Sequence, residues 1–157
     1  MGGAYPLRQC AVMDKEEQKH MDRVEEARRT LLALYGGSHS PLEESDPDFA
    51  AIKQRLVYGE LYAQEALDPV MRELILLAVA TTNQTMSEVK LHTCAALRSG
   101  ASPEAVKEAV YHCAPYIGLG KAEAAAAAVN EVLRTQGISL PLASQRTVSE
   151  EDRLTAG

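Results

Sequence analysis

The sequence has few cysteines and no pattern that would pair them. Of its 157 residues only three are cysteine, at Cys10, Cys94 and Cys113, an odd number without C-x-x-C spacing. A secreted disulfide framework and a local dithiol redox centre are therefore disfavoured, and a cytoplasmic, reducing location is predicted.

Positive charge and long apolar runs are also scarce. Lys and Arg number 16 against 22 Asp and Glu, a net charge of -6. This balance disfavours nucleic acid and acidic membranes as partners, because both bind clustered positive charge. The longest apolar run, residues 74–80, is far shorter than the roughly 20 residues that a bilayer span needs. We expect the partners to be a small-molecule substrate and other copies of the chain.

No segment alternates apolar and polar residues for long enough to predict a strand, whereas helical periodicity recurs along the chain. Asp46-Pro47, Asp68-Pro69 and Ser102-Pro103 each place an N-cap residue before a proline at the first helical position. The predicted helices cover residues 14–35, 47–63, 70–82, 88–98 with Ser87 as N-cap, 103–114 and 121–136.

These helices predict an all-α fold of about six helices, a single domain over residues 14–136. Residues 1–13 are predicted to form a flexible leader and residues 137–157 an irregular tail. The helix over 70–82 is apolar nearly all round after Glu73, which predicts a buried central element.

One short stretch, "TMSEVKLH", carries a candidate pair for proton transfer. Glu88 and His92 are four residues apart on a predicted helix, so one bound molecule can touch both. Without further information, a solvated first-turn Glu and a surface His are the commoner interpretation. Glu73 has the same two interpretations, but its burial would be costly and would favour a functional role.

Three stretches together resemble the carboxymuconolactone decarboxylase family, which includes the alkylhydroperoxidase D-like proteins. They are "LDPVMRELILLAVA", "EVKLHTCAALRSGASPEAVKEAV" and "YHCAPYIGLGKAEAAAAAVNEVL", which span residues 67–133. The resemblance implies an all-helical fold that assembles into a homo-oligomer, commonly a trimer or hexamer, with sites near the subunit contacts.

The family has two chemical branches that differ at the candidate pair. The peroxidase branch has a Cys-x-x-Cys pair, a His four residues later and a Glu twelve residues before the first Cys. Those positions are Thr85, Glu88, His92 and Glu73 in this chain, so both thiols of the peroxidase relay are missing. The chain is more similar to the decarboxylase branch, which has Glu and His here and a downstream "H-x-A-P-Y-x-G". It departs from that branch at residues 118–121, where Gly-Leu-Gly-Lys replaces the usual Gly-Phe-Pro.

The resemblance implies a decarboxylase of a carboxylated lactone, or of another small cyclic acid, in aromatic-compound catabolism. No metal or organic cofactor is expected, because the substrate itself accepts the electron pair. His92 is predicted to stabilise the oxyanion and Glu88 to protonate the carbon. The other predicted catalytic residues are Glu73 and His112, and the predicted substrate-binding residues are Arg72, Tyr116 and Lys121. The candidate cations for an acidic substrate also include Lys90 and Arg98.

Three alternatives stay open at this point. A thiol-dependent peroxidase would have to recruit Cys94 or Cys113 in place of the missing pair. A helical oligomer could bind a small molecule without turnover, for which the altered residues 118–121 are the best support. A metal-binding module would need oxygen and nitrogen ligands, and the candidates are Glu73, Glu88, His92 and His112.

Overall fold

The computed structural model describes residues 15–36 and 42–143, with side chains described from residue 23 onward. The predicted leader and residues 144–157 of the predicted tail lie outside these ranges. All regular structure in the described ranges is helical, so the prediction of an all-α fold is confirmed. Six of the α-helices are longer than four residues. The helices are α1 Lys15–Tyr35, α2 Leu42–Ser45, α3 Pro47–Lys53 with a π-helical continuation Gln54–Leu61, α4 Pro69–Asn83, α5 Met86–Arg98, α6 Pro103–Tyr111, α7 Ala114–Ile117 and α8 Leu119–Thr135.

The described residues divide into two compact units, of which the first comprises residues 15–32 and 42–64. Its π-helical segment packs closely on α1, where the backbone of Gly59 meets the carbonyl of Arg23. An ion pair of 3.0 Å joins Arg23 to Glu60 beside this contact. The helix predicted over 47–63 is therefore present, but its second half has the wider π geometry, which the sequence pattern did not indicate.

The second unit comprises the described residues 33–36 and 65–143, and it contains α4 to α8. Its buried core brings together side chains of α4, α5, α6 and α8, including Leu77, Val89, Val110, Val129 and Leu133. The union of the two units as the single domain predicted over residues 14–136 stays a prediction.

Local capping explains where two helices of the second unit begin. The side chain of Asp68 accepts a hydrogen bond from the Met71 N–H, and Ser102 accepts one from the Ala105 N–H. Proline follows each cap at the first helical position, where its missing N–H costs nothing. These starts agree with the predicted ones to within a residue.

The prediction that α4 is a buried central element holds for one face of the helix only. Its inner face is buried, as the core prediction requires, but the outer side chains Met71, Ile75 and Val79 are exposed. A helix that is apolar all round in sequence is therefore covered on one face only in a single copy of the chain. Within the described residues, no helix has the length and apolarity needed to cross a membrane.

The predicted N-cap of α5 is wrong. The helix begins at Met86 with Thr85, not Ser87, at the N-cap position, and the Thr85 hydroxyl donates to the Ala80 carbonyl rather than capping α5. The reason lies in the preceding turn, because the left-handed backbone of Gln84 closes α4 and leaves only two residues between the helices. Similarly, Gly118 at φ 93° lets α8 begin at Leu119, before the predicted start at residue 121.

Candidate functional site

A buried carboxylate on α4 and an imidazole on α5 form the centre of the site. Glu73 is only 1% exposed, and its Oε2 lies 2.9 Å from Nδ1 of His92. When Glu73 is a carboxylate it can only accept, so Nδ1 then carries the hydrogen and donates it. The two-residue connection turns α5 back along α4, which is how residues 19 positions apart meet.

Glu88 lies on the other side of the imidazole. It is one helical turn before His92, and its Oε2 is 3.6 Å from Nε2 of the ring. That distance is too long for a hydrogen bond, so Nε2 is not committed to Glu88. The side chain of Glu88 is 41% exposed and that of His92 is 12% exposed. The predicted pair therefore faces solvent on the Glu88 side and the protein interior on the Glu73 side.

The burial of Glu73 excludes the solvated interpretation of this residue, and its catalytic role stays a prediction. A first-turn carboxylate in contact with water would need no explanation, but this one is enclosed. Its Oε1 also has no hydrogen-bond partner among the described residues. Leaving a buried acceptor without a partner costs about 1 to 3 kcal/mol. A carboxylate retained at that cost beside an imidazole is typical of a functional site.

The other predicted catalytic residue, His112, lies in a different environment. It ends α6, is exposed, and its Nδ1 donates to the backbone carbonyl of Glu108 at 2.8 Å. The same carbonyl also accepts the backbone N–H of His112 at 2.9 Å, so both bonds belong to the end of α6. The catalytic role of His112 stays a prediction that its contacts in one chain do not support.

The predicted substrate-binding residues are spread over three elements. Arg72 on α4 donates to the carbonyl of Leu67 at 3.4 Å. Tyr116 in α7 is 89% exposed, and Lys121 is exposed in the first turn of α8. Their roles in binding a substrate stay predictions.

Like Arg72, the candidate cations Lys90 and Arg98 already make structural contacts. Lys90 pairs with Glu131 at 2.8 Å, which links α5 to α8. The Nη1 of Arg98 donates to the carbonyl of Leu34 at 3.0 Å. Both side chains hold parts of the second unit together, so neither is the best choice for recognising a substrate carboxylate.

The surroundings of Cys94 do not favour a reactive thiol. Cys94 and Cys113 are free. Burial raises the pKa of the Cys94 thiol, against the opposing effect of the Arg98 charge. The thiol of Cys113 donates to the carbonyl of Ala109 at 3.3 Å. A raised pKa lowers the thiolate fraction and hence the reactivity towards peroxides, which weakens the peroxidase alternative.

The metal-binding alternative requires ligands that converge. Among the side chains that the structure describes, no group of three or more His, Cys, Asp and Glu residues has a geometry that could hold a metal ion. The position of His112 at the exposed end of α6 agrees with this result.

Gln84, which lies between the two helices that carry the site, was not predicted to have a role. It occupies the corner between α4 and α5 with a left-handed backbone, φ 59°. One helix ends and the next begins within "TTNQTMSE", yet this stretch has no glycine, the residue that most often ends a helix. That absence was the signal in the sequence for an unusual residue at the turn.

Comparison with known proteins agrees with the resemblance seen in the sequence. A model of the carboxymuconolactone decarboxylase family matches residues 47–131, more than half of the chain. A 4-carboxymuconolactone decarboxylase from Acinetobacter baylyi (strain ATCC 33305 / BD413 / ADP1) is 29% identical over 98 residues, which cover 62% of this chain and 73% of that protein. The matched family range contains Glu73, Glu88 and His92.

Proposed function

The chain belongs to the carboxymuconolactone decarboxylase family, and we propose that it decarboxylates a carboxylated lactone of the 4-carboxymuconolactone type or another small cyclic acid. The observation that carries the proposal is the hydrogen bond between His92 and the buried Glu73, with Glu88 beside the other ring nitrogen. The name of the Acinetobacter relative supports the choice of substrate class.

In the first step, the imidazole stabilises the charge that develops when carbon dioxide leaves. Glu73 accepts the Nδ1–H of His92 and so fixes the ring's orientation and tautomer. When the ring is doubly protonated, the Nε2–H is directed at the substrate side of the site. The bond from the ring carbon to the carboxylate breaks, its electron pair moves into the lactone, and the carbonyl oxygen becomes an oxyanion that accepts this hydrogen bond.

In the second step, the enolate is protonated at carbon. Glu88 is the acid: its carboxyl proton goes to the carbon, and the residue is left as a carboxylate 3.6 Å from Nε2 of His92. Because the Glu88 side chain is 41% exposed, water can return the proton and complete the cycle. The electron pair never leaves the substrate, so these steps require no redox partner.

The exposure of Glu88 favours a second candidate function. A helical oligomer that binds a small acid without turnover would not need to shield its carboxylate from water, and Glu88 is not shielded in one chain. The departure from the family pattern at residues 118–121 is consistent with this candidate. Assembly into trimers or hexamers and a cytoplasmic location stay predictions, the first from the family resemblance and the second from the cysteine content.

The test is the change in ultraviolet absorbance when the purified protein meets 4-carboxymuconolactone. Glu73→Gln, Glu88→Gln and His92→Ala should each lower kcat/KM, by about 10²- to 10⁴-fold where a proton-transfer group is removed. Glu123→Gln is the matched control, since it makes the same change at an exposed carboxylate on α8. Turnover that survives in all three site variants would contradict the assignment of the chemistry to these residues.

Binding measurements separate the two candidates. If the parent shows no turnover, calorimetric titration with the same lactone decides between them. Binding that His92→Ala abolishes would support the non-catalytic candidate. No binding and no turnover would contradict both candidates for this substrate class.

A further inference from the structure

Gln84 adopts a backbone conformation that glycine normally supplies. It is the one non-glycine residue with positive φ among those the structure describes, at φ 59° and ψ 30°. The turn around it closes α4 by two hydrogen bonds, from the Gln84 N–H to the Thr81 carbonyl and from the Thr85 N–H to the Ala80 carbonyl. This is the helix ending in which glycine is preferred, because a Cβ is strained in the left-handed region. A strained residue that is kept at such a position suggests a task for its side chain.

The side chain of Gln84 connects two helices. Its Nε2 donates to the Thr81 carbonyl at 2.6 Å and to the Lys121 carbonyl at 3.3 Å. The first acceptor lies in the last turns of α4 and the second in the first turn of α8. A glycine at position 84 would relieve the strain but would lose both of these hydrogen bonds.

A small change in the angle between α4 and α5 at this corner produces a larger displacement of the His92 imidazole. Only Gln84 and Thr85 separate α4 from α5. His92 is eight residues beyond the corner and Glu73 eleven residues before it, distances of about 12 and 16 Å at the rise of an α-helix. A tilt of about 5° at the corner therefore moves either residue by about 1 Å. A shift of this size would break the 2.9 Å hydrogen bond between His92 and Glu73.

We propose that Gln84 is a positioning residue, whose carboxamide fixes the corner between α4 and α5 and thereby keeps Nδ1 of His92 on Glu73. The expected effect of Gln84 on activity rests on the proposed function, but its expected effect on the orientation and tautomer of the His92 ring does not. Gln84 touches no substrate in this scheme and acts only by tying the turn between α4 and α5 to α4 and α8.

Two variants separate the side chain from the backbone strain. Gln84→Gly suits the left-handed backbone and removes the carboxamide, whereas Gln84→Glu keeps the shape but cannot donate to the two carbonyls as a carboxylate. Gln136→Gly is the control, because it makes the same change just after α8 at an exposed residue whose φ is -84°.

The first readout is the ring nitrogen chemical shifts of ¹⁵N-labelled histidine, with the His92 signals assigned by comparison with His92→Ala. In the parent they should report a proton on Nδ1. In Gln84→Gly the melting temperature should stay equal or rise, while the His92 shifts change towards those of a ring with mixed tautomers. Gln136→Gly should leave the shifts unchanged.

The second readout is kinetic. Loss of positioning should lower kcat of Gln84→Gly by about 10- to 100-fold and change KM by less than about twofold, because the substrate contacts themselves remain. Parent-like His92 shifts and parent-like kcat in Gln84→Gly would overturn the inference. If the parent has no turnover, the proposed function fails, and the ring shifts alone then decide whether Gln84 positions His92.

Discussion

A methyl group added at Gly59 tests how closely the π-helical segment packs on α1. An ideal Cβ at this position would lie 2.6 Å from the carbonyl oxygen of Arg23, whereas ordinary van der Waals contact begins at 3.4 Å. The two elements would have to separate by the difference, about 0.8 Å. Because this oxygen is part of the α1 backbone, it cannot rotate aside as the end of a side chain could.

The expected effect of Gly59→Ala follows from two opposing contributions. Overpacking of a filled site lowers the unfolding free energy by about 1 to 3 kcal/mol. Alanine raises it by about 0.5 to 1 kcal/mol in a helix, because alanine loses less backbone freedom on folding than glycine does. The net loss of unfolding free energy therefore lies between about 0 and 2.5 kcal/mol, centred on about 1 kcal/mol. For a chain of this size, each kcal/mol shifts the melting temperature by about 2 to 4 °C, so Tm should fall by several degrees.

Gly120→Ala is the matched control for this experiment. Gly120 lies in the first turn of α8, and an added Cβ meets no atom within 4 Å. The same substitution there should raise the unfolding free energy by about 0.5 to 1 kcal/mol. Thermal unfolding followed by circular dichroism measures both variants. Equal shifts, or a rise in Tm for Gly59→Ala, would refute the reasoning about the close contact with Arg23.

The remaining predictions concern a thiol, an ion pair and the assembly. Cys94 should react slowly with iodoacetamide at neutral pH and accelerate only above the usual thiol range, because burial raises its pKa. In Arg98→Met the reaction should slow further, since the Arg98 charge lowers that pKa; rapid reaction of the parent at neutral pH would contradict the burial argument. In urea unfolding, Lys90→Met should cost no more than about 1 kcal/mol, because its ion pair with Glu131 is exposed; a larger loss would mean that the pair is shielded from solvent. Sedimentation equilibrium should give the mass of a trimer or hexamer, as the family resemblance implies, and a monomer would contradict it.

Most helix boundaries could be predicted because they depend on neighbouring residues. Asp68 and Ser102 each cap a helix through a hydrogen bond to a backbone N–H three residues later. Such bonds require no distant part of the chain. The start of α5 was predicted wrongly because it depends on the left-handed turn at Gln84, where glycine, the usual signal, is absent.

The candidate site could be predicted only in part. The spacing of Glu88 and His92 places them on one helix face, and the structure has them there, with 3.6 Å between Oε2 and Nε2. His112 begins the downstream stretch that resembles the family's H-x-A-P-Y-x-G, but its ring bonds to the carbonyl of Glu108 on its own helix. A motif gives the order of residues along the chain, and this order does not determine which way a helix end faces.

By itself the sequence determined the helical class, the family and the neighbourhood of Glu88 and His92, because periodicity, capping and spacing within one helix are local properties. Only the tertiary structure decided that Glu73 is buried and bonded to His92. These two residues are 19 positions apart on different helices. Their distance depends on the angle at the corner between α4 and α5 and on the packing of both helices, which are set by contacts with the rest of the core.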